Sequence, residues 1–124
     1  MRTELNFAVP LIPPSVNHYK TPNGRGGWFR TRETTAFIEA VCVFSHKQPV
    51  PGAFYEVEVT FYLPQNRFLA SDADNFSKVT LDALKVAGVI RDDRYITDHI
   101  IHKRTVPDAR DSRTEYLVRG KEEP

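Results

Sequence analysis

FYEVEVTFYL, from Phe54 to Leu63, decides the fold. Tyr55, Val57, Val59, Phe61 and Leu63 fall on one side and Glu56, Glu58, Thr60 and Tyr62 on the other, the two-residue period of a strand with one buried face. Downstream, YITDHIIHKRTV (95–106) and RTEYLVR (113–119) read as two final strands around a turn at Pro107 to Ser112. Upstream, TELNFAV (3–9) sets Leu5, Phe7 and Val9 against Glu4, Asn6 and Ala8, and Pro10 ends it. Pro13 and Pro14 then forbid helix, and the turn signal Asn23-Gly24 folds a short strand at His18 to Lys20 back onto a second at Gly27 to Thr31.

Two helices fit between these strands. Threonines cap a segment over roughly 33–46, where Phe37, Val41 and Phe44 recur at helical spacing and Pro49 and Pro51 forbid more. A second helix starts near Asp74 or Asn75 and ends at Gly88, burying Phe76, Val79 or Thr80, Ala83, Leu84 and Ala87. The expected fold is therefore α+β: a single domain over 1–124, a mixed sheet of about four to six strands and two helices, with a frayed tail at 120–124.

Composition places limits on function. The 124 residues are 40% hydrophobic and 27% charged, ordinary for a soluble globular domain, and no apolar run is long enough to cross a bilayer. A cytoplasmic location, without membrane contact, is the default expectation. Cys42 stands alone, which rules out an internal disulfide and a thiolate zinc cluster. Net charge is only +1, yet His18 to Arg32 holds Lys20, Arg25, Arg30 and Arg32 and no acid, so +4 sits in this basic hairpin and −3 on the rest.

The chemistry concentrates in SDADNFSKVTLDALKVAGVIRDD, Ser71 to Asp93. Asp72 and Asp74, two apart on extended backbone at a helix entrance, point the same way and can face one cation; hard carboxylate oxygens suit Mg2+ or Mn2+. Lys78 lies one helical turn beyond Asp74, and Asp82 one turn beyond Lys78. Asp92 and Asp93 join the group only where strand placement carries them back beside the helix entrance. A plainer account stands beside this: a capping aspartate, a solvated ladder of charges and a polar turn. An EF-hand loop starting at Asp72 fails, because Phe76, Ser77 and Ala83 stand where an oxygen ligand, glycine and glutamate belong. A glycine-rich phosphate loop is absent.

DADNFSKVTLDALKVAGVIRDD resembles the RusA family of Holliday-junction resolvases, with D-x-D-N, a lysine, D-A-L, A-G and a closing D-D; PPSVNHYK resembles the family's P-P-S-x-N segment. The resemblance implies Asp72, Asp74 and Asp93 as metal-binding and catalytic aspartates, Lys78 as the essential lysine, and Asn75 and Asp92 in support. It implies a Mg2+-dependent endonuclease, with Mn2+ as substitute and no organic cofactor, that acts as a homodimer on a four-way DNA junction. Ser71 departs from the basic residue that often precedes the first aspartate, and the nearest arginine is Arg67. Asn17, Lys20, Arg25, Arg30 and Arg32 are the expected DNA contacts, Asn17 being equally a loop-shaping hydrogen bonder. Trp28 and Phe29 carry two readings, stacking at the branch point or packing in the core or a dimer interface. The rival functions are a non-catalytic module binding branched or single-stranded DNA and a phosphodiesterase without junction preference.

Overall fold

The alternating run forms β4, Phe54–Pro64, whose inward residues Tyr55, Val57, Val59, Phe61 and Leu63 are at most 1% exposed. The computed structural model describes residues 3–15, 20–22, 24 and 28–124. β6, Arg113–Lys121, runs antiparallel to β4, and β1, Glu4–Val9, runs antiparallel to β6. On the other side β5, Ile96–Val106, lies parallel to β4, giving a mixed sheet in the order β1-β6-β4-β5. A parallel pair needs a crossover that carries the chain back to the starting end. β2, Lys20–Pro22, and β3, Trp28–Arg30, form a separate antiparallel ribbon. The architecture is the α+β single domain that the sequence predicts.

Helix α1, Arg32–Ser45, is capped by Thr31, whose hydroxyl accepts the Thr34 N–H at 3.3 Å. It buries Thr34, Phe37, Ile38, Val41 and Ser45. Phe44, expected inside, lies beside that row rather than on it and is 43% exposed. The second predicted helix is two pieces: a 3-10 turn at Ala73–Phe76 and then α3, Ser77–Val86, with the Thr80 hydroxyl donating back to the Phe76 carbonyl at 2.6 Å. The predicted stripe of Phe76, Val79, Thr80, Ala83, Leu84 and Ala87 is buried, and the helix ends at Gly88 in the left-handed region (φ 76°). A one-turn helix, α2 (Gln65–Phe68), follows β4 directly and was not expected, since it buries nothing and has no periodicity to read.

The inward side of the sheet and the two long helices share one core. Within it the Tyr116 hydroxyl donates to the Thr80 carbonyl at 3.0 Å, and burial pushes its phenol pKa up. The opposite side carries charges: Arg119 meets Glu4, Glu56 and Glu58, and Arg113 meets Glu115. Gly120 and Lys121, expected in a frayed tail, belong to β6: the Ala53 N–H donates to the Lys121 carbonyl at 3.0 Å. A Cβ on Gly120 would stand 1.8 Å from the Pro51 carbonyl oxygen, so this strand end needs glycine for close packing. Among the described residues no helix is long and apolar enough to cross a membrane.

Candidate metal-dependent nuclease site

Beyond α2 the chain passes through Leu69–Ser71 and reaches Asp72, extended (φ −83°, ψ 133°) ahead of the 3-10 turn. The turn is closed by backbone bonds from Asn75 N–H to the Asp72 carbonyl and from Ser77 N–H to the Asp74 carbonyl. Among the described residues three 3-10 turns have an aspartate as N-cap, and one of the three side chains behaves differently from the other two. Asp92 and Asp108 cap their turns, accepting the Arg94 and Arg110 amides, whereas Asp72 makes no capping bond. The capping account therefore does not hold for Asp72. Its carboxylate and that of Asp74 are both exposed. Phe76, two residues on, locks the turn to the core with its ring 5.0 Å from that of Phe61.

A polar cleft of about 620 Å³ adjoins the acids. It is lined by Pro13, Pro14 and Ser15, by Arg67, Ser71 and Asn75, and by Thr31 and Glu33 at the head of α1. The two sequence segments that looked informative are thus neighbours in space. Lys78, the second residue of α3, lies 4.0 Å from Asp82.

Asp93 stands elsewhere. It opens the turn Asp93–Tyr95 that leads into β5, and the parallel register there begins at Tyr55 and Ile96. Just before it, the Arg91 side chain donates to the carbonyls of Gly52 and Ala53 and to the Tyr55 hydroxyl, fixing this segment to the starting end of β4. Asp92 faces Lys85, in the last turn of α3, at 3.7 Å. Its pKa is held low, first by a hydrogen bond with the Asp93 carboxyl and then by the Arg94 amide. The acid pair, by contrast, adjoins Ser71, whose carbonyl is tied to Lys103, seven residues above Ile96 on β5. At about 3.3 Å per residue that is a separation on the order of 23 Å along the sheet. A parallel crossover necessarily puts the residues before β5 at the end of the sheet opposite those that follow β4. Among the described residues no three His, Cys, Asp or Glu side chains stand close enough to hold a metal ion.

The family model described as endodeoxyribonuclease RusA matches residues 10–115. The chain belongs to the RusA endodeoxyribonuclease family. None of the curated proteins compared with it matches the chain. RusA membership makes it a DNA nuclease, of a family whose general activity is Holliday-junction resolution on branched DNA with a divalent metal. Asp72 and Asp74 fit such a metal in part: they supply hard, exposed oxygens, and among the described residues no third acid stands close enough to join them.

The basic region of this RusA protein is described incompletely. Lys20 and Arg30 are register partners across the β2–β3 ribbon, and Arg30 and Arg32 are exposed. Asn17 and Arg25 lie outside the described residues, as do the side chains of Trp28 and Phe29, which sit on β3. Two basic residues not expected at the site are near it. Arg67 lines the cleft, and Lys103 reaches the segment ahead of Asp72. A signal for Lys103 was present: it shares the inward parity of His99 and Ile101 on β5, where a lysine is out of place without a partner.

Proposed function

We propose that this chain is a Mg2+-dependent Holliday-junction resolvase that acts as a homodimer, making paired symmetric nicks in recombination and repair. The carrying observation is the exposed pair Asp72 and Asp74, Asp72 making no capping bond, in the chain segment whose Ser71 and Asn75 line a cleft together with Pro13, Pro14 and Ser15. A divalent ion held by these carboxylates supplies Lewis-acid activation of the water and of the scissile phosphate. The chain's own residues do the rest. Asn75 and Arg67 orient the phosphodiester from the cleft wall. Lys78 places its ammonium beside the oxygen that leaves as the water oxygen bonds to phosphorus and the old P–O bond breaks. Lys20, Arg25, Arg30 and Arg32 hold the junction arms through their phosphates, and Asn17 adds a polar contact.

The position of Asp93 supports the dimer. With the acid pair at one end of the sheet and Asp93 at the other, a second copy related by a two-fold axis presents its Asp93 to the first copy's acid pair, and the reverse. Two sites then form together, one for each strand of a symmetric junction.

The test uses an end-labelled four-way junction, the matched linear duplex and a single strand, with and without Mg2+. Paired nicks confined to the junction, absent in Asp74→Asn, are expected; equal cutting of linear duplex overturns junction selectivity. Mixing inactive Asp74→Asn with inactive Asp93→Asn should restore about a quarter of the sites if acids are shared between subunits. No recovery after subunit exchange would place all three acids within one chain.

A further inference from the structure

We propose that Lys103 is the positioning residue of the acid pair, an inference that rests on the metal-site reading above. Its Nζ donates to the Phe68 carbonyl and, at 2.8 Å, to the Ser71 carbonyl, and sits 4.5 Å from the Phe68 ring centre. The segment it grips has little other hold. Leu69 is 88% exposed, and α2 buries no residue.

Lys103 and Phe61 are register partners on β5 and β4. Phe61 holds Phe76, the residue that closes the 3-10 turn, while Lys103 holds Ser71, the residue just before the Asp72 on which it opens. Asp72 and Asp74 are therefore strung between two anchors rooted side by side in the sheet, one apolar and one cationic. An ammonium has three donors and no acceptor, so it can gather carbonyls that no backbone amide reaches. Without it the Phe76 anchor remains, and Asp72 swings about it. The protein stays folded and the spacing of the two carboxylates is lost.

The experiment reads Mn2+ affinity by calorimetry, together with the melting temperature, for the wild-type protein, Asp74→Asn, Lys103→Met and Lys103→Gln. Asp74→Asn should abolish binding. Lys103→Met should weaken it about tenfold, the scale seen when an outer support of a metal ligand is removed, and Lys103→Gln, which keeps two donors, should recover part of that loss. If Lys103→Met does not fold, a Lys103→Gln protein weakened about threefold supports the proposal, and one that binds like wild type overturns it. Wild-type affinity in a folded Lys103→Met protein overturns the positioning role alone, whatever its melting temperature. Wild-type binding indifferent to Asp74→Asn overturns the metal-site reading and this inference with it.

Discussion

The two ends of the sheet treat their aspartates in opposite ways. At the starting end of β4, Asp92 caps a turn and faces Lys85, and the Arg91 side chain binds two carbonyls and a tyrosine hydroxyl beside it. At the far end, Asp72 caps nothing, and the loop leading to it hangs from one lysine below an exposed leucine. Asp92 is engaged by its own chain, whereas the exposed Asp72 carboxylate on a well-anchored turn is left open to another molecule. Stability and activity should therefore separate along the sheet.

The sharpest way to break that contrast is Asp72→Asn or Asp74→Asn. Each should lower junction cleavage by about 10²–10³-fold or more, as expected for losing a group that stabilises developing charge. Both residues are exposed, so urea unfolding should shift by no more than about 0.5 kcal/mol. A large loss of stability in either variant would make the acid pair structural after all.

Next in size is Phe76→Ala. Phe76 is 1% exposed and packs on Phe61, so its truncation should cost about 3–5 kcal/mol. It also carries the turn between the acids and α3, so activity measured well below the melting temperature should fall too. Full activity there would mean that the turn is held without its apolar anchor.

At the opposite end, Arg91→Ala should cost about 1.5–3 kcal/mol by removing charged hydrogen bonds to the Gly52 and Ala53 carbonyls. Denaturant midpoints check the loss, and Mn2+ affinity of the folded protein separates two outcomes. Unchanged affinity makes the clamp purely structural; weakened affinity means that the clamp also bears on metal binding, as the proposed sharing of Asp93 requires.

The sequence made the fold legible wherever burial imposes a period. β4, with Tyr55 through Leu63 inward at every second residue, and the α3 stripe through Phe76, Ala83 and Leu84 could be placed because a wrong phase would expose the core. Phe44 misled because one aromatic at near-helical spacing resembles a stripe member, and Gly120 misled because close backbone approach has no pattern along the chain. The acids were legible as residue types, from the crowding of like charges between Asp72 and Asp93. Their arrangement was not, because a crossover sets which end of the sheet each residue reaches, and short-range spacing carries no record of parallel pairing.

The smallest expected effect concerns β5 itself, the edge strand that joins the two ends. His99 pairs in register with Val57 on the inward side, and its Nε2 is buried without a hydrogen-bond partner. Burial lowers its pKa below the ordinary 6.5, so the unfolded chain binds the proton more readily than the folded one. Stability should accordingly rise with pH across the window between the folded pKa and about 6.5, and fall as the solution is acidified from neutrality through that window. The Glu58 carboxylate, held low chiefly by its hydrogen bond to His102, acts in the same direction only below its ordinary 4.5. Melting temperatures between pH 7.5 and 5.5 stay above the Glu58 window, and His99→Leu should remove the part of the slope that His99 contributes there. An undiminished slope after this substitution would move the titrating group elsewhere; a reduced slope with unchanged cleavage would confirm that His99 bears on stability and takes no part in the chemistry.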